Sequence, residues 1–244
     1  MNSSALNVAK TRLRSAMKQR LSGLPRDSIT SQSHNVFDSL SKFKPYLDAK
    51  RVAVYLSMPG GEIQTDPIVR HALGSGKQVF VPYLHKSGLP PGEGPARLMD
   101  MVSLKSIEDY ESLQRDKWGI PSVDAGTVDE RQRSVGELDG NRSEDIALDL
   151  ILMPGVAFDI DPQSGVIRRL GHGKGFYDYF LHRYALAAST EERSDRRPTI
   201  LLYALALKEQ LLSADSGETV PVGPHDQPID GLFLGDGRLI GSAE

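Results

Sequence analysis

The stretch Leu152–Asp178, LMPGVAFDIDPQSGVIRRLGHGKGFYD, decides how the rest of the chain is read. It continues a short apolar run, IALDLILMPG (146–155), which breaks at Pro154-Gly155. Turn-forming residues follow, and then Gly171, Gly173 and Gly175 alternate with other residues. Arg168, Arg169, His172 and Lys174 surround these glycines, and Tyr177-Asp178 closes the segment. Alternate glycines let the backbone turn sharply and present its N–H groups to a ligand. With cations interleaved, the ligand that fits is a phosphate, held between the end of a strand and the start of a helix. The motif matches neither G-x-x-x-x-G-K-[ST] nor G-x-G-x-x-G, because its third glycine comes one residue early. An ordinary glycine-rich turn is the competing explanation of these residues taken alone.

The 244 residues suffice for one sizeable α/β domain or two small ones with a real core. Apolar content of 39% and charged content of 25% suit a globular protein with some long polar loops. A net charge of −3 gives no support for a nucleic-acid partner. The absence of cysteine excludes disulfides, thiolate catalysis and cysteine-ligated zinc. No apolar run approaches the roughly 20 residues of a membrane span, so no membrane partner is expected. A cytoplasmic location follows as the expectation, with one competing signal. The first 26 residues hold no acid but include Lys10, Arg12, Arg14, Lys18, Arg20 and Arg26, as a mitochondrial presequence would.

The helical phase of that segment favours a basic first helix of the folded domain. Leu6, Leu13, Met17, Leu21 and Leu24 share one face, and Lys10 falls inside their stripe with Arg14 at its edge. A presequence helix would keep its cations on the opposite face. A lysine in an apolar stripe either snorkels to solvent or pairs with an internal carboxylate, with a phosphate as the sharper alternative.

Further along, LPRDSITSQSHNVFDSLSKF restarts a helix at Pro25 or Asp27. RVAVYLSMPGGEIQTDPIV predicts a strand over Val52–Ser57, a Gly-Gly loop, and a helix from about Thr65 to Leu73. KQVFVPYL predicts a second strand, FYDYFLHRYALAA a helix, TILLYALAL a strand, KEQLL a short helix, and the segment near Leu232 a last strand. Five or six strands alternating with helices argue for parallel βαβ units in a mainly parallel sheet. Three polar stretches, at about 85–97, 122–145 and 189–198, are expected as surface loops of a single domain spanning 1–244.

The candidate site residues follow from position and chemistry. Lys174, between two glycines, has no local carboxylate and is placed to neutralise a phosphate. Asp178 falls in a helix first turn, where an acid is favoured whatever it does. With Asp226 in VPVGPHDQP it could also serve magnesium, which takes one or two carboxylates plus phosphate oxygens and water. Glu62 follows Gly60-Gly61 after the first strand, where parallel sheets bind ligands. Trp118, the only tryptophan, sits in a turn beside Gly119 and Pro121, either as packing or as a pocket wall. From the residues alone, these positions point to a magnesium-nucleotide enzyme with an unspecified acceptor.

At RRLGHGKGFYD the sequence resembles the 5-formyltetrahydrofolate cyclo-ligase family. The resemblance extends to KTRLRSAMKQRL, YLSMPGGEIQT, WGIP, DLILMPGVAFD, LALKEQLL and VPVGPHDQPID, in that order, and covers most of the chain outside the polar loops. It implies a three-layer α/β/α fold of the NagB/RpiA/CoA-transferase-like type. It also implies conversion of 5-formyltetrahydrofolate, with ATP and Mg2+, to 5,10-methenyltetrahydrofolate, ADP and phosphate; a monomer is the expectation for the assembly. Carried over by position, it puts Lys10 and Arg14 on ATP phosphates and makes the run Arg169, Leu170, Gly171, His172, Gly173, Lys174, Gly175, Phe176, Tyr177 the nucleotide loop. Lys174 and Tyr177 become the catalytic pair and Asp178 and Asp226 the magnesium-side carboxylates. Leu56, Glu62, Trp118 and the loop residues His172 to Phe176 line the folate site. Two departures from the family pattern stand out: His172 replaces an arginine found in some members, and Phe176 replaces a common tyrosine. A non-catalytic nucleotide- or RNA-binding relative of the same fold is the alternative. An ATP-dependent enzyme with another small substrate is a third possibility.

Overall fold

The computed structural model describes residues 3–90, 92–134, 146–188, 200–213 and 217–241. The chain begins with α1 (Ser3–Ser22), α2 (Arg26–Leu40), α3 (Lys44–Asp48), β1 (Arg51–Val54), α4 (Asp66–Gly74), β2 (Gln78–Lys86) and β3 (Arg97–Ser103). Then come α5 (Ile107–Ser112), β4 (Gln114–Arg115), β5 (Pro121–Ser122), β6 (Arg133–Ser134), β7 (Leu150–Met153), β8 (Ala157–Ile160) and β9 (Ile167–Leu170). It ends with α6 (Phe176–Ala188), β10 (Leu201–Ala206), β11 (Gly231–Leu234) and β12 (Leu239–Gly241).

Eight strands form one sheet in the order β12-β11-β10-β7-β1-β2-β3-β6. The five from β11 to β2 are parallel, and antiparallel β12, β3 and β6 flank them. The parallel strands are buried on both faces, as their near-continuous apolar runs require. In β1, Val52 and Val54 join the cluster formed with Ile29, Val36, Leu40, Ile68 and Val69 of α2 and α4, while Ala53 points to the other side. There it meets Ile151 and Met153 of β7 together with Phe180, Leu181 and Tyr184 of α6. The result is the expected α/β fold: helix, mainly parallel sheet, helix.

Several boundaries differ from the sequence expectation, each for a local reason. The first strand ends at Val54 rather than Ser57. Tyr55 O accepts a hydrogen bond from Thr65 Oγ1 (2.7 Å), and Ser57 Oγ accepts one from Thr65 N (3.2 Å), which turns this segment out of the sheet toward α4. The main sheet has eight strands where five or six were expected, because β3, β6 and β12 were not legible. β2 runs on through His85 and Lys86 and pairs with β3 from Arg97, so the stretch 85–97 is a hairpin connection rather than a loop throughout. The 122–145 stretch carries a 3-10 turn at Ala125–Glu130 and edge strand β6 before residues 135–145, which lie outside the described residues. The 189–198 loop also lies outside them.

The first helix is built into the fold. Leu13 and Met17 are buried against Val156, Ala157, Leu170, Leu212 and Val220. No helix among the described residues is long and apolar enough to cross a membrane.

Candidate active site

A cleft of about 630 Å³ opens beside the carboxyl ends of the parallel strands. Its walls come from Met58–Gly61 after β1, Gly155 and Val156 after β7, Gln210 after β10, and the inner face of α1 with the start of α2. This is the edge at which open parallel sheets bind ligands. An open depression of about 730 Å³ on the outer face of α1, around Asn7 and Thr11, contains none of the candidate residues.

The glycine loop closes one end of the cleft, between β9 and α6, as the alternating glycines predict. The strand before it belongs to the two-stranded β8–β9 hairpin rather than the main sheet. Gly173 has φ +94°, and a Cβ built there would lie 3.1 Å from Arg14 Cζ, so both the turn and the guanidinium require glycine. Arg14 Nε donates to Gly171 O at 2.8 Å, fixing the first helix to the loop. Desolvation lowers the Arg14 pKa, with Asp226 opposing that shift, although the side chain stays charged in any accessible pH range.

Two cation–carboxylate pairs join the loop to the ends of the chain. Lys10 Nζ donates to both oxygens of Asp226 at 2.7 and 2.5 Å, so the lysine in the apolar stripe has an internal carboxylate as its anion. Asp226 Oδ2 also accepts from Gly223 N at 2.6 Å. Arg169 Nη2 lies 3.0 Å from Asp178 Oδ1, which also receives the Gln227 N–H at 3.3 Å. The neighbours Asp226 and Gln227 thus bring the two candidate metal-side carboxylates to one place. No group of three or more histidine, aspartate or glutamate side chains fit to hold a metal occurs among the described residues.

Beside these pairs stand donors without partners. Lys174 is exposed and makes no ion pair among the described residues. The Tyr177 hydroxyl and Arg169 Nε are buried and lack any hydrogen-bond partner, with the guanidinium 5.7 Å from the Tyr177 ring centre. Leaving such groups unsatisfied costs about 1–3 kcal/mol each, and here they lie beside Asp178, which is partly open to solvent. Burial raises the Tyr177 pKa well above the ordinary phenol value, so the hydroxyl keeps its proton to donate. His172 keeps part of its surface open to solvent. Even so, desolvation in the cleft, and then Arg169 and Arg14, lower its pKa, so the ring is neutral near pH 7.

Glu62 is buried, 5% exposed, and its Oε1 accepts the Met58 N–H at 2.6 Å. Burial raises its pKa to about 7, against the lowering effect of that hydrogen bond. Tyr55 and Tyr177 both feel its charge, which places the carboxyl between the first strand and the glycine loop.

The other expected positions divide. Leu56 is buried in the core at the end of β1, 8% exposed, and Phe176 is half-buried against the α6 face of the sheet. Leu170 is buried at 1%, so only its backbone is open to a ligand, and its carbonyl already accepts from Val156 N at 2.7 Å. Gly175 has φ +66° and leads into α6. Trp118 is 60% exposed under Lys117 Nζ, 4.3 Å from the ring centre, and is not in the cleft wall. Its turn touches that wall through Gly119, where a Cβ would sit 2.8 Å from Pro59 Cγ. The sequence offered no pointer to Lys18, Arg26 or Gln210, which the structure brings into the wall.

Comparison with known proteins agrees with this architecture. The family model described as "5-formyltetrahydrofolate cyclo-ligase family" matches residues 7–234. The mouse protein named 5-formyltetrahydrofolate cyclo-ligase is 32% identical over 232 residues, spanning 95% of this chain and 96% of its own. The Saccharomyces cerevisiae protein of the same name is 30% identical over 239 residues, with 95% and 98% coverage. The solved structure of 5,10-methenyltetrahydrofolate synthetase from Aquifex aeolicus superposes with a TM-score of 0.56 at 23% identity, covering 93% of this chain and 89% of that one, which is a likeness of fold. Matched along nearly its whole length by the family model and by relatives at 30% identity or more, the chain belongs to the 5-formyltetrahydrofolate cyclo-ligase family.

Proposed function

We propose that the protein converts 5-formyltetrahydrofolate to 5,10-methenyltetrahydrofolate, with ATP giving ADP and phosphate. The observation that carries this is the meeting, at the glycine loop beside the cleft, of the buried unsatisfied donors Tyr177 Oη and Arg169 Nε and the exposed Lys174 with Glu62, whose carboxyl titrates near neutrality and acts on Tyr177. Cations and backbone N–H groups suit a triphosphate. A carboxyl that titrates near neutrality suits a neutral, polar substrate group.

The chemistry needs a better leaving group than a formamide oxygen. In the proposed course the N5-formyl oxygen bonds to the γ-phosphorus as the bond to ADP breaks. N10 then bonds to the activated formyl carbon and loses its proton, and the C–O bond breaks to release phosphate. Lys174, Arg169 and the loop N–H groups would neutralise charge on the phosphoryl oxygens, and Tyr177 would donate its hydroxyl proton to one of them. Arg14, tied to Gly171 and Gly173, would hold the nucleotide end of the cleft against α1. Glu62 would orient the pterin side and accept the N10 proton at Oε2, since Oε1 is committed to Met58 N.

Asp178 and Asp226 fit magnesium in donor type: two carboxylates held together by the Asp226-Gln227 turn, a set that Mg2+ completes with phosphate oxygens and water. When bound there, Mg2+ would supply charge neutralisation to the triphosphate. Lys10 and Arg169, which now pair with these carboxylates, would then be free to turn to phosphate.

Because α1 is committed to this site, we assign its acid-free sequence to catalysis and place the protein in the cytosol; recovery with mitochondria on fractionation would contradict that. The activity is tested by incubating the purified protein with 5-formyltetrahydrofolate and Mg-ATP. The near-ultraviolet absorbance of methenyltetrahydrofolate should grow only when both substrates are present. Tight ATP binding without any absorbance change would favour the non-catalytic alternative.

A further inference from the structure

The cleft extends past the glycine loop along α1. Arg14, Lys18, Leu21 and Ser22 follow each other along one face of α1 and all line it. At 1.5 Å per residue, Lys18 stands about 6 Å along the helix axis from Arg14, on the side away from the loop. Beyond it the wall turns apolar, with Leu21, Leu24, Ile29 and Pro59, and Arg26 at the start of α2 closes the far end.

Lys18 and Arg26 differ from the other cations of this region. Lys10 is paired with Asp226, Arg14 with the Gly171 carbonyl and Arg20 with Glu218. The side chains of Lys18 and Arg26 have neither a hydrogen bond nor an ion pair among the described residues. An apolar slot flanked by an uncommitted cation on either side matches an aryl group that carries a pair of carboxylates. Nothing at the phosphate end of the cleft uses either side chain.

We propose that Lys18 and Arg26 form a carboxylate-binding subsite for the glutamate end of the folate substrate, with Leu21, Leu24 and Pro59 packed against its benzoyl group. This rests on the activity proposed above. The two cations set which substrate is preferred and take no part in the chemical step. The contacts are ionic and solvent-exposed, so they weaken with salt.

The test compares 5-formyltetrahydrofolate with 5-formyltetrahydropteroate, which has the same pterin and benzoyl groups without the glutamate. The wild type should favour the glutamate-bearing substrate about tenfold or more in kcat/KM, through KM rather than kcat. In the folded Lys18→Ala/Arg26→Ala double variant that ratio should collapse toward one, and Lys18→Arg/Arg26→Lys should restore it. Raising sodium chloride should erode the wild-type ratio but not that of the double variant. Calorimetric titration of 5-formyltetrahydrofolate without ATP should show the same loss of affinity. An active double variant that keeps the wild-type ratio, or a wild type that turns over both substrates equally, overturns the subsite while leaving the activity intact. A wild type that converts neither substrate with Mg-ATP overturns the activity and the subsite with it.

Discussion

Helix α6 carries two ion-pair clusters of similar composition and opposite character. In its first turn Asp178 meets Arg169, and further along Arg183 meets Asp100 of β3. At Asp100 the carboxylate is 1% exposed and both oxygens are occupied, Oδ1 by Arg183 Nη2 (2.7 Å) and Oδ2 by His85 Nε2 (2.9 Å). Arg183 also donates to Met99 O at 2.5 Å, locking the helix to the sheet. At the loop end Asp178 and Asp226 are 21% and 23% exposed, and an uncommitted Lys174 and the orphaned Tyr177 hydroxyl stand beside them. The buried cluster holds the helix in place. The exposed one has partners that a ligand can replace. Neither an ion pair nor an orphaned donor alone therefore marks a site, since Arg183 Nε of the buried cluster also lacks a partner; carboxylates open to solvent beside such donors do.

The largest expected effect breaks the loop side of this contrast. Lys174→Ala should lower kcat about 10³-fold while the circular dichroism spectrum and melting temperature stay put. Near-normal turnover would remove Lys174 from the phosphoryl step. Next, on the scaffold side, Arg183→Ala leaves Asp100 buried without its main partner and should cost roughly 3–4 kcal/mol in denaturant unfolding. A loss under about 1 kcal/mol would show that the buried cluster does not anchor α6.

Glu62 gives a pH signature of intermediate size. Its folded-state pKa of about 7 lies above the ordinary 4.5, so the folded protein holds this proton more tightly than the unfolded chain. Its contribution to stability is present below pH 4.5 and is lost as pH rises to about 7, by roughly 3 kcal/mol. Glu62→Gln should flatten that part of the curve of melting temperature against pH; an unchanged slope would contradict the raised pKa. The smallest effect sharpens the exchange idea. Asp226→Asn frees Lys10 and removes a negative charge from the proposed phosphate position, so ATP without metal should bind about tenfold more tightly than to wild type by calorimetry. Weaker metal-free binding would show that Asp226 holds Lys10 in its working position.

The sequence revealed the parts whose causes are local. Apolar runs bounded by glycine and proline marked β1, β7, β10 and β11, and the GHGKG spacing marked the loop. Strand β3, RLMDMVS, was hidden by Asp100, whose burial is compensated by an arginine 83 positions away. The phase of α1 put Lys10 in an apolar stripe, but did not show that it pairs with Asp226, 216 positions on. Lys18 and Arg26 were passed over for the same reason, since a free cation on a helix means little until the opposite wall of its cleft is known.

The central claim is that the loop passes a phosphoryl group from ATP to the formyl oxygen, and oxygen labelling tests it most directly. With 5-formyltetrahydrofolate carrying 18O in the formyl group, the phosphate released in unlabelled water should contain that 18O, as read by mass spectrometry. Phosphate free of the label, formed together with methenyltetrahydrofolate, would contradict it.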